Sequence, residues 1–445
     1  MNTASTRTLH VIERIVKLVP VGTNLALLQL IWAMISGAFL PARGAVHTAL
    51  SFSGYQRKEI RRSWTALRYG IWHIGELIDR FRTIVKQESD WVSNEYEGYR
   101  PIAVDLTAIW RPRLQGWTGK LYQQLIGKAC VGIGFGLIAE VGRIDGHRIP
   151  LLKAIVRGHS AGASEDDLKK RTLRQAVRLL GEKDVLLHDG GVTLAQLHQA
   201  NVPRFVIRLS TNCTGRRNKL PPYKGIGAHP KKGILVRPLE RVFKGKVLGA
   251  TAADAPVSFI LNGRTIVAQG WLNLMRADLK VADKHELFSI WVIDDPRYDG
   301  VLVLGTNLPE TVSPKALYQL YIDRWPVEQI PLVAKQLLGC HRQFVFAHTS
   351  CWRLGELAFL VGNLLTWLAA TSPPIPSGYW DRRPKKRPVA SNVNWHALII
   401  QKNACWSSEF EKRDLLPPTY RKELLPIAVP KGANHAFSFS FGPYC

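Results

Sequence analysis

Three carboxylates and a run of cationic residues are the parts of this sequence best suited to chemistry. Asp105 sits in YRPIAVDLTAIW (99–110), an alternating apolar run. Asp189 closes the short apolar run of DVLLHDGG (184–191), and Glu328 lies within YIDRWPVEQIPLVAK (321–335). A carboxylate on a buried strand is costly to desolvate, so it must be hydrogen-bonded or held beside a metal ion. Around the glutamate, Tyr321, Arg324, Glu328 and Lys335 stand at offsets 0, 3, 7 and 14. At ~100° per helical residue these positions fall within roughly 60° of one another. The spacing predicts a helical stretch over 313–338 that shows a phenol, a guanidinium, a carboxylate and an ammonium on one stripe. Carboxylate oxygen suits hard divalent cations, while Arg and Lys suit phosphate oxygens. Phosphodiester chemistry uses both.

The elements that must position these groups follow from hydrophobic period. Residues 1–98 read as a helical N-terminal region, with helices over 16–40 and 57–86. The second carries Arg57, Lys58, Arg61, Arg62 and Arg68 opposite its apolar face, which suits DNA contact. Residues 99–210 read as strands at 99–110, 128–144 and 148–158, a helix from Ser164 to Leu180, a strand at 184–191, a helix at 193–200 and a strand at 204–210. This is an α/β pattern. The glycines at 132, 134 and 136 make no nucleotide loop, because no helix follows at the right place. Residues 211–298 read as a β-rich insert with a basic loop. Between 216 and 246 there are ten Lys/Arg and one acid, Glu240; Lys231, Lys232 and Arg237 are its candidate DNA-phosphate contacts. Residues 299–370 return to the α/β pattern with the motif helix and an apolar helix over 355–370. The tail, 371–445, is basic and proline-rich.

Composition narrows the partners. The 445 residues carry 60 Lys/Arg against 34 Asp/Glu, a formal charge of +26 and a pI near 10.0. Such an excess repels itself in the folded state and suits a polyanionic partner, nucleic acid before an anionic membrane surface. With 46% hydrophobic and 21% charged residues, wholesale disorder is excluded. The longest apolar run, Leu25–Leu40, is shorter than the ~20 residues of a span and holds Gln29, so it is expected to be a buried helix. No signal-peptide layout precedes it, and the expected location is the cytoplasm. The six cysteines form no CxxC pair and are expected to be reduced structural thiols.

The order Asp105, Asp189, Glu328, spaced by 84 and 139 residues, with Tyr-x2-Arg-x3-Glu-x6-Lys around the glutamate, resembles the bacterial insertion-sequence transposases of the DDE class that carry the YREK motif. DLT at Asp105, HDGG at Asp189 and RW before Glu328 extend the likeness, which covers about residues 99–370. The resemblance implies a ribonuclease-H-like mixed sheet flanked by helices, interrupted by the β-rich insert. It implies cut-and-paste DNA transposition with two Mg²⁺ ions, or Mn²⁺ in their place, on Asp105, Asp189 and Glu328. Tyr321, Arg324 and Lys335 would hold phosphates of the transposon end. The partners would be the double-stranded DNA of transposon ends and target, with a dimer in the synaptic complex and a nucleoid-associated bacterial location. Three acids with no compensating cations would make the empty site self-repelling. Two prolines depart from the pattern: Pro326 disfavours helix at Trp325, and Pro331 removes a hydrogen bond just after Glu328. If the helix breaks there, Tyr321 and Arg324 leave the stripe. Some relatives stack a flipped base on a Trp in the strand before the motif; that strand here has none, and Trp271 and Trp291 read as core. His188 reads as a hydrogen bonder. Two alternatives remain from sequence, a catalytically silent DNA-binding descendant and a membrane-surface protein.

Overall fold

The computed structural model describes residues 4–123, 126–158, 164–283, 286–342 and 345–372. Five helices come first: α1 (Ala4–Val16), α2 (Thr23–Ile35), α3 (Val46–Phe52), α4 (Arg57–Tyr69) and α5 (Ile74–Glu88). The helices expected over 16–40 and 57–86 are therefore each interrupted. Pro20 and Gly22, the latter at φ 87°, separate α1 from α2. Between α4 and α5 the chain turns extended at Gly70, and the Ala66 carbonyl, which accepts the Gly70 N–H, takes a second donor from the Trp72 indole at 2.9 Å. The apolar run at 25–40 does bury: Leu27, Leu30, Ile31, Trp32, Met34 and Ile35 are at most 1% exposed. On α4, Arg57, Lys58, Arg61 and Arg68 are exposed.

Strands follow: β1 (Val92–Ser93), β2 (Arg100–Trp110), β3 (Lys120–Gln123), β4 (Lys128–Ile144) and β5 (His147–Arg157), then α6 (Glu165–Leu179), β6 (Asp184–His188), α7 (Leu194–Gln199) and β7 (Phe205–Arg208). The insert supplies β8 (Gly215–Arg217), β9 (Leu235–Val236), β10 (Arg241–Phe243), β11 (Lys246–Leu248), β12 (Ala255–Leu261), β13 (Arg264–Arg276) and β14 (Phe288–Asp294). After it come β15 (Leu302–Thr306), α8 (Pro314–Ile322), α9 (Pro326–Gln336) and α10 (His348–Thr371). The sheet is mixed. β5, β4 and β2 run antiparallel in that order; β6 then pairs parallel with β2, and β7 parallel with β6. β15, β14 and β13 continue antiparallel from β7, so the insert extends the same sheet instead of standing apart from it.

Helices cover both faces. On one, α1 to α5, α9 and α10 share an apolar core with Ala103, Phe135, Leu137 and Leu152. On the other, α6 and α7 bury Leu173, Ala176 and Leu197 against Ile102, Val104, Ile138 and Leu186. The glycine-rich strand is explained by this second layer. A Cβ at Gly136 would lie 2.1 Å from the Thr172 hydroxyl on α6, and the bare strand lets that helix close in. Ser164 and Asp167 form the capping box that starts α6.

The single helix expected over 313–338 does not form. α8 ends at Ile322, residues 323–325 turn, and α9 begins with Pro326 at its first position. The proline ring presets φ there and lacks the N–H that a continued helix would need, so the break falls where local chemistry asks for it. Pro331 is accommodated within α9. Among the described residues one helix, α10, is long and apolar enough to cross a membrane, and 94% of that stretch is buried inside the protein. No disulfide joins the four described cysteines. The basic, proline-rich region beyond 372 lies outside the described residues.

Candidate active site

Sheet register brings the two aspartates side by side. β2 and β6 run parallel with Ala103 opposite Leu187, and the same register continued for two residues sets Asp105 level with Asp189. Alternation along β2 sends Ile102 and Val104 toward α6, which leaves Asp105 and Thr107 on the face covered by α9. Asp189 lies just past the end of β6, and its side chain is 44% exposed. Glu328 enters from α9 at 41% exposure. α9 itself is held close to α10 because Gly362 has no side chain: a Cβ there would sit 2.8 Å from the Ile330 carbonyl.

The broken helix still gathers the four motif residues, by a different route from the stripe. Arg324, only 3% exposed, turns at the elbow and donates from Nη1 to the Glu328 carboxylate. Its guanidinium lies 5.6 Å from the Tyr321 ring centroid and 5.0 Å from that of Trp325. The Tyr321 hydroxyl donates to Asp189 Oδ1 at 3.2 Å. Lys335 reaches the neighbouring strand, donating from Nζ to the Thr107 hydroxyl at 2.7 Å. Arg208, at the end of β7, lies 3.9 Å from Asp189 Oδ1.

The electrostatics tie these groups into one cluster. Burial, then the charge of Glu328, pushes the Asp105 carboxyl up to about 6, against the pull of Arg324, the Leu106 backbone N–H and Lys335. Partial burial works against ionisation of Asp189 as well, but the Gly190 N–H, Arg324, Arg208 and the Tyr321 hydroxyl hold it below the usual carboxylate range. Burial lowers the Lys335 ammonium and raises the Tyr321 phenol to about 12, so the phenol stays a donor at neutral pH. The expectation of three uncompensated acids is therefore corrected: Arg324 and Lys335 already stand among them. His188 stays outside the exchange. It is 5% exposed, its Nδ1 meets the Asp189 carbonyl at 2.8 Å, and burial drops its pKa to about 4, keeping it neutral.

Among the described residues, no group of three His, Cys, Asp or Glu side chains is close enough to hold a metal ion in the present arrangement. The donor chemistry nevertheless fits a hard divalent cation. The acids offer only oxygen, two are partly open to solvent, and Asp105 and Glu328 feel each other's charge. The Arg324 Nε is buried without a hydrogen-bond partner within the protein.

Three contributors escape sequence reasoning. Thr107 shares the strand face of Asp105, which the period of two could have shown. Arg208 closes β7 beside Asp189, and its place follows only from strand order. Asp323 sits at the elbow, 0% exposed, and accepts from the Asn94 amide at 2.6 Å and the Tyr96 hydroxyl at 2.9 Å while pairing with Arg148. It anchors the turn between Tyr321 and Arg324. Trp271 and Trp291 are core residues as expected, 1% and 5% exposed. In the insert, Lys231 is exposed; Lys232 donates to the Asp278 carbonyl at 3.0 Å and Arg237 to the Gly249 carbonyl at 3.4 Å, so the latter two also stitch the loop together. A scan of the chain against protein-family models gives no match, and a search of curated proteins gives none either.

Proposed function

We propose that this chain is a DNA transposase of the DDE class, cleaving transposon ends and transferring strands to target DNA with divalent metal. The observation that carries the reading is that buried Arg324 pairs with Glu328 while its charge also acts on Asp105 and Asp189, so that acids up to 223 residues apart in sequence share one cation. The sheet order β5-β4-β2-β6-β7, antiparallel across the first three and parallel across the last three, supports a ribonuclease-H-like core interrupted by a β-rich insert.

Asp105, Asp189 and Glu328 would hold the Mg²⁺ ions, or Mn²⁺ in their place. Bound there, the ions would supply activation of the attacking oxygen and stabilisation of the leaving one. The protein's own part is positioning. Arg324 can turn its unpartnered Nε to a phosphate oxygen, Lys335 adds a compact charge beside Asp105, and Tyr321 orients Asp189. The exposed basic face of α4 and the stretch holding Lys231, Lys232 and Arg237 give the DNA backbone its counter-charge. Synapsis of two ends calls for at least a dimer on DNA, in the bacterial cytoplasm at the nucleoid.

The test is nicking of labelled duplex carrying the sequences that flank the reading frame, with Mg²⁺, wild type against Asp105→Asn. Nicking by the wild type alone is expected. Equal nicking by both removes Asp105 from the reaction, and binding without nicking by either makes the chain a silent DNA-binding descendant.

A further inference from the structure

The insert carries a second, two-stranded sheet: β10 and β11 pair antiparallel with each other and with no other described strand. Lys244 and Gly245 at its tip both have positive φ, 50° and 74°, the two-residue turn whose twist matches that of a hairpin. Its apolar side chains are uncovered: Val242 is 69% exposed, Phe243 57% and Val247 64%. Register sets Val242 opposite Val247 on one face and Phe243 opposite Lys246 on the other. A lone ribbon with both faces in water is marginal and gains from a partner that covers it. Residues 241–248 hold Arg241, Lys244 and Lys246 and no acid, so that partner is anionic and offers apolar contact between its charges.

Duplex DNA meets both conditions. Its major groove admits a two-stranded ribbon, with phosphates on the walls and thymine methyl groups among the base edges. The ribbon is also rooted near the acids. Arg241 donates to the Asn212 carbonyl at 3.0 Å, four residues past the Arg208 that faces Asp189. DNA with a phosphate at the acids would pass this root.

We infer that the Arg241–Leu248 ribbon enters the major groove of the duplex on which the site acts, with Val242 and Val247 on thymine methyls and Lys244, at the tip, on a phosphate. This rests on the DNA reading above but not on cleavage. The test is equilibrium binding of the full chain, without divalent metal, to a thymine-rich duplex and to the same duplex with uracil for thymine. Wild type should prefer the methylated duplex by roughly tenfold, and Val242→Ser/Val247→Ser should bind both alike with an unchanged salt slope. Lys244→Gln should keep the preference but flatten the plot of log affinity against log salt by about 0.9. Circular dichroism checks that these exposed substitutions leave the fold intact. A wild type indifferent to the methyl groups, or a valine variant that still discriminates, overturns the ribbon's role and leaves the nicking assay to judge the acids alone.

Discussion

Two carboxylates five residues apart, Asp323 and Glu328, occupy opposite kinds of surroundings. Asp323 is sealed at 0% exposure with an amide, a hydroxyl and a guanidinium around it. Glu328 is 41% exposed and is paired with one arginine whose own Nε has no partner. The sealed acid gives Oδ2 to the Asn94 amide and the Tyr96 hydroxyl and keeps Oδ1 for the ion pair with Arg148. The open one keeps oxygen lone pairs, beside an unused donor, for something that is not part of the chain. Burial alone does not mark a functional carboxylate; unfilled capacity within a cluster does.

Removing the same charge from each should separate the two roles. Glu328→Gln should lower nicking on the order of ten-thousandfold, since a metal ligand is lost, with stability held to within about 1 kcal/mol because the amide oxygen can still accept from Arg324. Asp323→Asn should cost about 2 kcal/mol in unfolding free energy, because a fully buried site that holds a carboxylate among Asn94, Tyr96 and the partly exposed Arg148 loses an acceptor. Denaturant melts and nicking rates on the same preparations check both. A Glu328→Gln protein that melts like Asp323→Asn would erase the distinction.

How much of this was readable in advance depends on range. Local chemistry announced the strands, the capping box at Ser164 and the break at Pro326, since each depends on a few neighbouring residues. The likeness to a transposase motif singles out Asp105, Asp189, Glu328 and the three motif partners from the sequence alone. What stayed hidden is long-range. Tyr321 reaching Asp189 spans 132 residues, Lys335 reaching Thr107 spans 228, and Asn94 reaching Asp323 spans 229. No local period encodes such pairings. The expected single stripe does not form, because Pro326 makes two helices: Tyr321 comes from α8, Arg324 from the elbow, and Glu328 and Lys335 from α9.

Divalent metal sharpens the comparison at a middle scale. If the open cluster holds the ions, Mg²⁺ or Mn²⁺ at a hundred times its dissociation constant should stabilise the folded protein by about 2.7 kcal/mol. Asp105→Asn should lose that gain, and Asp323→Asn should keep it on its lower baseline. Thermal melts with and without metal, and with NaCl at matched ionic strength as the non-specific ionic control, decide this. Equal stabilisation of wild type and Asp105→Asn would place the ion elsewhere.

The smallest effect is expected at Lys335, and it asks which side of the comparison that residue belongs to. Its ammonium is mostly buried and donates to Thr107, which looks like sealing; yet Asp105 feels its charge and it lies on the same face of the sheet, which looks like the open site. Two substitutions tell these apart. Thr107→Val removes the acceptor and leaves the charge, and Lys335→Ala removes both. If Lys335 only ties α9 to β2, the two variants should match, each losing about 1 kcal/mol of stability and little nicking. If it also meets a phosphate, Lys335→Ala alone should lose about tenfold in nicking, the worth of ~1.4 kcal/mol, and flatten the salt dependence of end binding by about 0.9. The second outcome is expected, because the Lys335 charge reaches Asp105, whose carboxyl burial and Glu328 push up to about 6 against its pull.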